Sequence, residues 1–255
     1  MIVHVPHASA DIPHDVRDQF TRGDYELNAE LLRSTDWFTD ELFSIPGCTT
    51  VRYPISRLVV DPERFESDED EPMARVGRGV IYSHGTEGGL LRRPLSLGER
   101  QSLLERFYRP HHRALETATA TLLGEKQSVT IVDAHSFPAV PWPVELCQDE
   151  ERPDFCLGSD QFHTPAELIE IASEFLSASG FSVLVNRPYA GALVPLVYYR
   201  KDARVRALMI EVNRKIYLNE STGERAPRFG SIQRTIHDLC ERLRTWSSAK
   251  RVSKV

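Results

Sequence analysis

No stretch of this sequence approaches the roughly 20 consecutive apolar residues that a membrane-spanning helix needs, so no membrane span is expected. Cysteine is scarce. Cys48, Cys147, Cys156 and Cys240 are scattered and form no Cys-x-x-Cys pair, which argues against a thiolate zinc site and suits free thiols in a cytoplasmic protein. Excess positive charge is also missing. The net charge is −6, so no overall field favours nucleic acid or an anionic membrane, and an anion site must be built locally from a few placed arginines. The start, "MIVHVPHASADIP", lacks a basic region followed by an apolar one, so no signal peptide is read. Internal repeats, low-complexity tracts and linker-like boundaries are absent, so one domain over residues 1–255 is expected. The sequence carries no signal for oligomeric state.

What is present is an alternation of short apolar runs and helical patterns. With 41% hydrophobic residues over 255 positions, the chain can bury one sizeable core. Residues 1–5, 49–55, 129–134, 181–186 and 206–212 read as strands. Most are continuously apolar, as in a sheet covered on both faces. Helices are expected over 25–44, over 96–123 with a kink or division at Pro110, and over about 230–246. In "HTPAELIEIASEFLSASG" Thr164 is expected to cap a helix, with Pro165 at its first position, Glu167 completing the box and Gly180 ending it. The fold class is α/β, a three-layer sandwich around a mixed, mostly parallel sheet. Two long stretches interrupt it, residues 61–95 and 136–163. Loops of this length are uncommon unless functional.

Two strands end in histidine: "IVHVPHAS" delivers His7, and "VTIVDAHS" delivers Asp133 and His135. Ligands of open α/β sheets bind beyond the carboxyl ends of strands. Two imidazoles and a carboxylate make a catalytic zinc site with one position left for water. Ordinary hydrogen-bonded histidines are the alternative. "SRLVVDPERF" clusters Arg57, Asp61, Glu63 and Arg64, which suits either carboxylate recognition or salt bridging at a sheet edge. Glu211 lies inside the apolar run "LMIEVNRKIY". A carboxylate buried there is a general-base candidate or the partner of Arg214.

The ordered set "VPHAS", "TDWFTDELF", "SRLVVDPERF", "GVIY", "YRPHHRAL", "VDAHSF", "RPDFCLGS", "FSVLVNRPYAGA" and "LMIEVNRKIYLNE" runs over nearly the whole chain. It resembles the N-formylglutamate amidohydrolase family, which is similar in fold to zinc carboxypeptidases and aspartoacylase. The resemblance implies a cytoplasmic, zinc-dependent (or other divalent-metal) amidohydrolase of amino-acid catabolism acting on a small anionic amino-acid derivative. It implies His7 and His135 as metal ligands. The glutamate three residues after the first histidine in carboxypeptidases is Ala10 here. Asp36 of "TDW" therefore becomes the third ligand, with Asp11 as runner-up. Glu211 becomes the general acid/base and Arg57 the group polarising the scissile carbonyl. Arg64 and Asp61 become substrate-carboxylate contacts, joined by Asn186 and Tyr189 of "NRPYAGA". Asp133 is expected to orient a histidine; His84, His111 and His112 are expected to be peripheral. Glu63 replaces the asparagine of the relatives' "D-x-N-R", and "PYAGALVPLVYY" lacks their Gly-Gly-x-Ile-Thr. Both departures point to a divergent branch. The alternatives are a carboxypeptidase- or aspartoacylase-like metallo-amidase with a different N-acyl or peptide substrate, and a binding domain that keeps the fold.

Overall fold

The apolar runs become strands whose successive residues face opposite helical layers. In the computed structural model, which describes residues 1–249, Ile2, Ile131 and Ala207 enter one core and Val3, Val132 and Leu208 enter another. Side chains alternate along a strand, so a sheet covered on both faces needs apolar residues at every position. The elements follow in the order β1 (Ile2–Val5), α1 (Asp24–Ser34), α2 (Thr39–Leu42), β2 (Thr49–Arg52), α3 (Leu97–Leu103), α4 (Arg109–Glu125), β3 (Val129–Phe137), β4 (Phe155–Gly158), α5 (Ala166–Ala178), β5 (Val183–Val185), β6 (Val205–Asn213) and α6 (Phe229–Ala249). The sheet order is β2-β1-β3-β6-β4-β5. β2, β1, β3 and β6 are parallel, and β4 runs antiparallel to β6. Helices α2, α5 and α6 cover one face and α4 the other. The expected three-layer α/β sandwich with a mixed sheet is therefore the fold. No helix among the described residues is long and apolar enough to cross a membrane.

Three local expectations are revised and a fourth, at Pro110, is refined. The helix expected over 25–44 breaks between Ser34 and Thr39, where Phe38 adopts a left-handed φ of 62°. The division expected at Pro110 falls immediately before it, and the proline sits in the first turn of α4. Residues Leu104–Tyr108 form a π turn between α3 and α4, and the wider turn relieves the clash of the proline ring with the carbonyl four residues earlier. Thr164 does not cap α5. Its hydroxyl accepts from the Asp160 amide and donates to the Ala207 carbonyl, and Pro165 holds the cap position. β4 lies inside the segment expected to be loop. It starts near the carboxyl end of β3, with no intervening crossover helix, and so runs back antiparallel.

Glu30 of α1 fastens the loop spanning 61–95. Fully buried, it accepts hydrogen bonds from the Thr86 amide (2.7 Å), the Thr86 hydroxyl (3.1 Å) and the Ser34 hydroxyl (3.2 Å). Arg22 and Arg33 approach its other side at 3.4 and 3.3 Å. Removing one partner of a buried charged cluster costs roughly 3–5 kcal/mol. Glu30→Ala should lower the unfolding free energy by about that amount in urea titrations; a loss below about 1 kcal/mol would mean that the loop is held by other contacts.

Candidate active site

The parallel register delivers the reactive side chains to one end of the sheet. β3 continues through Phe137, because β6 pairs with it as far as Asn213. His135 therefore lies within the strand, not beyond its end as the sequence suggested. Its Cα partner across the ladder is Glu211. One position pair earlier on the other side, His4 of β1 registers with Asp133. The break after α1 turns Asp36 inward. Its amide donates to the His7 carbonyl (2.9 Å), and its own carbonyl accepts from the Thr39 hydroxyl (2.8 Å).

His7, Asp36 and His135 converge, each offering a donor atom within 4.8 Å of the others. Asp36 Oδ2 lies 3.3 Å from His135 Nδ1 and 3.6 Å from His7 Nδ1. His7 Nε2 donates to Asp61 Oδ1 at 2.7 Å, and its Nδ1 is buried without a hydrogen-bond partner. A proton held on Nε2 leaves the lone pair on Nδ1, facing Asp36. That is how a carboxylate orients a metal-ligating imidazole. At His135 the two nitrogens exchange roles: Nδ1 bonds Asp36 Oδ2 at 3.3 Å, and Nε2, 3.2 Å from Asp133 Oδ1, is buried without a hydrogen-bond partner. Burial opposes charge on His135, yet Asp133 and Asp36 hold its pKa well above the usual value. The surroundings thus favour positive charge at this point. Two imidazoles and one carboxylate fit a divalent cation. Asp11 is exposed and lies outside the cluster.

Around this cluster the charges are anchored. Arg214 donates to Asp36 Oδ1 (2.8 Å) and the Ser136 hydroxyl (3.1 Å), and also to the Arg33 carbonyl. Burial works against ionisation of Asp36, but His135, His7 and Arg214 hold its carboxyl well below the ordinary range. His4 engages Asp133 at 2.8 Å, approaches Glu63 Oε1 at 3.2 Å, and meets His111 through Nε2 at 2.8 Å. His4, Glu63 and Asp133 also stand close enough to share an ion, but both nitrogens of His4 are already engaged. They form a buried support behind His135.

Above the cluster opens a cavity of about 600 Å³, lined by residues that include His7, Asp36, Arg57, Arg64, His135, Tyr189 and Glu211. The loops at 61–95 and 136–163 supply much of its wall. Glu211 Oε2 is buried with no hydrogen-bond partner. Burial pushes the Glu211 carboxyl up to about 7, with His135 opposing and Asp36 adding to the shift.

Two expected substrate contacts are corrected. Asp61 is fully buried. Its oxygens accept from His7, from the Glu63 amide (2.9 Å), from Arg57 (2.8 Å) and from the Tyr82 hydroxyl. None of its capacity faces a ligand. Asn186 is exposed beyond β5, where its amide group bonds the Ser159 amide and hydroxyl, each at 2.8 Å. It has a left-handed φ of 57° and is not among the residues that line the cavity. Tyr189 does line the cavity, with its hydroxyl donating to Glu145 (2.7 Å) and accepting from Arg152 (3.1 Å). Sequence reasoning missed Tyr82, Arg214 and His4 as supports. The available signals were two, a tyrosine within "GVIY" and a histidine within the first strand.

The sequence profile of the N-formylglutamate amidohydrolase family matches residues 1–218. Among solved structures, the crystal structure of an N-formylglutamate amidohydrolase from Ralstonia eutropha JMP134 is similar, with a TM-score of 0.85 and 25% identity over 96% of this chain and 93% of that one. A gene product from Agrobacterium tumefaciens shares the fold, with a TM-score of 0.59 and 18% identity over 96% of this chain and 91% of that one. Comparison with curated proteins gives no match.

Two outcomes follow from the geometry. If the cluster holds a divalent cation, Asp36→Ala should bring the metal content measured by elemental analysis after metal loading close to zero, whereas Asp11→Ala should leave it at the wild-type level; the reverse result would move the third ligand to Asp11. The second concerns pH. The folded protein keeps the Glu211 proton up to about 7, against a reference of 4.5. Between those values the native state binds more protons than the unfolded chain, so this group makes stability fall as pH rises. In chelator-treated protein, Glu211→Gln should therefore gain stability relative to wild type as pH climbs through that window. A pH-independent difference in urea midpoints would remove the shift.

Proposed function

The chain belongs to the N-formylglutamate amidohydrolase family, and from that premise we propose that it hydrolyses the amide of N-formyl-L-glutamate or a related N-formyl or N-acyl amino acid, with zinc or another divalent metal as cofactor. The products are formate, or the corresponding acid, and the free amino acid. The observation that carries this reading is the meeting of His7, Asp36 and His135 beside a Glu211 carboxylate with an unpartnered oxygen.

His7, His135 and Asp36 would hold the cation. A cation bound there lowers the pKa of a water molecule towards neutrality and polarises the amide oxygen. Glu211 takes the attacking water's proton and passes it to the leaving amine. Its pKa near 7 suits a group that serves as base and then as acid at neutral pH. Arg57 is fixed through Nε and Nη2 by Asp61 and Tyr82. It presents its remaining donors to the carbonyl oxygen, where negative charge develops. Asp61 acts through His7 and Arg57 and does not touch substrate. Arg64, whose Nε is buried without a hydrogen-bond partner, holds the substrate carboxylate.

A second reading keeps the machinery and changes the acyl group. The cavity is roomier than a formyl group and one amino acid require, and Trp142, Val144, Leu146 and Leu196 give it an apolar wall. That observation favours a larger N-acyl amino acid or a peptide, as in carboxypeptidase- or aspartoacylase-like amidases.

Metal-loaded protein should release formate from N-formyl-L-glutamate, lose the activity on exhaustive chelation and regain it with zinc. Full activity in protein verified as metal-free would overturn the metal dependence. Glu211→Gln should keep its metal and lose on the order of 100-fold or more in turnover. A panel of formyl, acetyl and larger acyl groups separates the two readings, because a preference for large acyl groups selects the second.

A further inference from the structure

Of the arginines that line the cavity, two have their charge answered at close range. Arg57 pairs with Asp61 at 2.8 Å and Arg214 with Asp36 at 2.8 Å. Arg64 and Arg78 differ. Arg64 stands 3.6 Å from Asp61 and 4.0 Å from Glu71. Arg78 is only 3% exposed, and its Nη1 is buried with no hydrogen-bond partner. Its one acidic neighbour among the described residues is Glu30, at 3.6 Å. Glu30 already accepts from the Thr86 amide and hydroxyl and from Ser34, with Arg22 and Arg33 beside it. Arg78 is therefore a third arginine at a saturated carboxylate, held beyond hydrogen-bond distance. A buried guanidinium with unused donors is costly and calls for a ligand or an explanation.

The surroundings of Arg78 hold it in one place. Its guanidinium lies over the Tyr82 ring, 4.1 Å from the centroid, with the Trp142 ring at 5.9 Å. Stacking of this kind engages the face of the guanidinium and leaves the edge free, and the edge is the part that matches a carboxylate bidentately. The flanking glycines lie where neighbouring side chains leave no room for a Cβ. Gly77 has a φ of +72°, and a Cβ there would lie 2.2 Å from His84 Nδ1; at Gly79 it would lie 2.5 Å from Asp68 Oδ1. Burial is the main influence lowering the Arg78 pKa, and Arg57 and Arg64 add to it.

We propose that Arg78 is a second anion receptor of the cavity, so that Arg64 holds one carboxylate of the substrate, Arg78 holds another, and the pair selects dianionic substrates over monoanionic ones of the same shape. The identity of the substrate rests on the amidohydrolase reading above; the anion site itself does not.

The test compares N-formyl-L-glutamate with N-formyl-L-glutamine, which has nearly the same shape and one carboxylate fewer. Wild-type protein should prefer the first. Arg78→Met should collapse that preference by on the order of tenfold or more, through KM rather than kcat. Arg78→Lys, which keeps the charge and loses the fork, should reduce it partially and decides the matter if the methionine variant does not fold. A variant that loses both substrates in proportion, with the ratio intact, would make Arg78 structural and overturn the proposal. Calorimetry with glutarate and its monoamide repeats the comparison without turnover. A glutarate preference that depends on Arg78 in a protein inactive on every N-formyl amino acid would uphold the site and remove the reaction. Equal binding of the two probes to wild type would remove the site.

Discussion

The carboxylate of Asp61 is the constraint on which the active-site end of this molecule depends. A buried ionised acid is tolerated only when it is paired and hydrogen-bonded. Asp61 meets that condition by gathering His7, Arg57, Tyr82 and the Glu63 amide. Burial alone would raise its pKa, but Arg57 and His7 outweigh it and keep the carboxyl well below the usual range. The acid therefore stays charged. A charged Asp61 fixes which His7 nitrogen carries the proton and which way the Arg57 fork points. Tyr82, held by its hydroxyl to Asp61, in turn lies under Arg78. One acid thus connects the metal-ligand candidates with the wall that faces the substrate.

Both signs of charge line the cavity. Glu63 and Asp133 lie behind His135, where burial and then Asp133 push the Glu63 pKa up. Arg57, Arg64, Arg78 and Arg214 line the same cavity. An acidic protein with no overall attraction for anions can bind one locally through arginines placed in this way. The groups come from different parts of the chain: the β3–β6 register puts His135 beside Glu211, while the loop from Arg57 to Arg64 comes from outside the sheet.

Much of this was legible in the sequence, and the limits have physical causes. Strands buried on both faces are readable because every position must be apolar, and "VTIVDA" and "RALMIEV" satisfied that. His7, His135 and Glu211 stood out as polar residues in or just after such runs. Asp36 came from resemblance to a family, since the helical periodicity of residues 25–44 continues through the break that turns it inward. Nothing local announces a left-handed Phe38. β4 was hidden by neighbouring prolines and acids, and its pairing with β6 spans more than 50 residues. Asp61 was placed at the substrate because a motif gives residue identities but not which side of a cavity wall they occupy. Asn186 failed for the same reason. Arg78 left no trace, because an unanswered guanidinium is visible only when its neighbours are.

The π turn at Leu104–Tyr108 has an effect beyond accommodating Pro110. A wider turn inserts one residue into the helical count and so rotates everything after it about the axis. With that phase, His111 reaches His4 and His112 reaches the Pro62 carbonyl (2.9 Å). A uniform α-helix of the same sequence would turn both imidazoles to other bearings. The π turn thus works as an angular spacer: one surplus residue just before Pro110 sets the azimuth from which α4 meets the first strand.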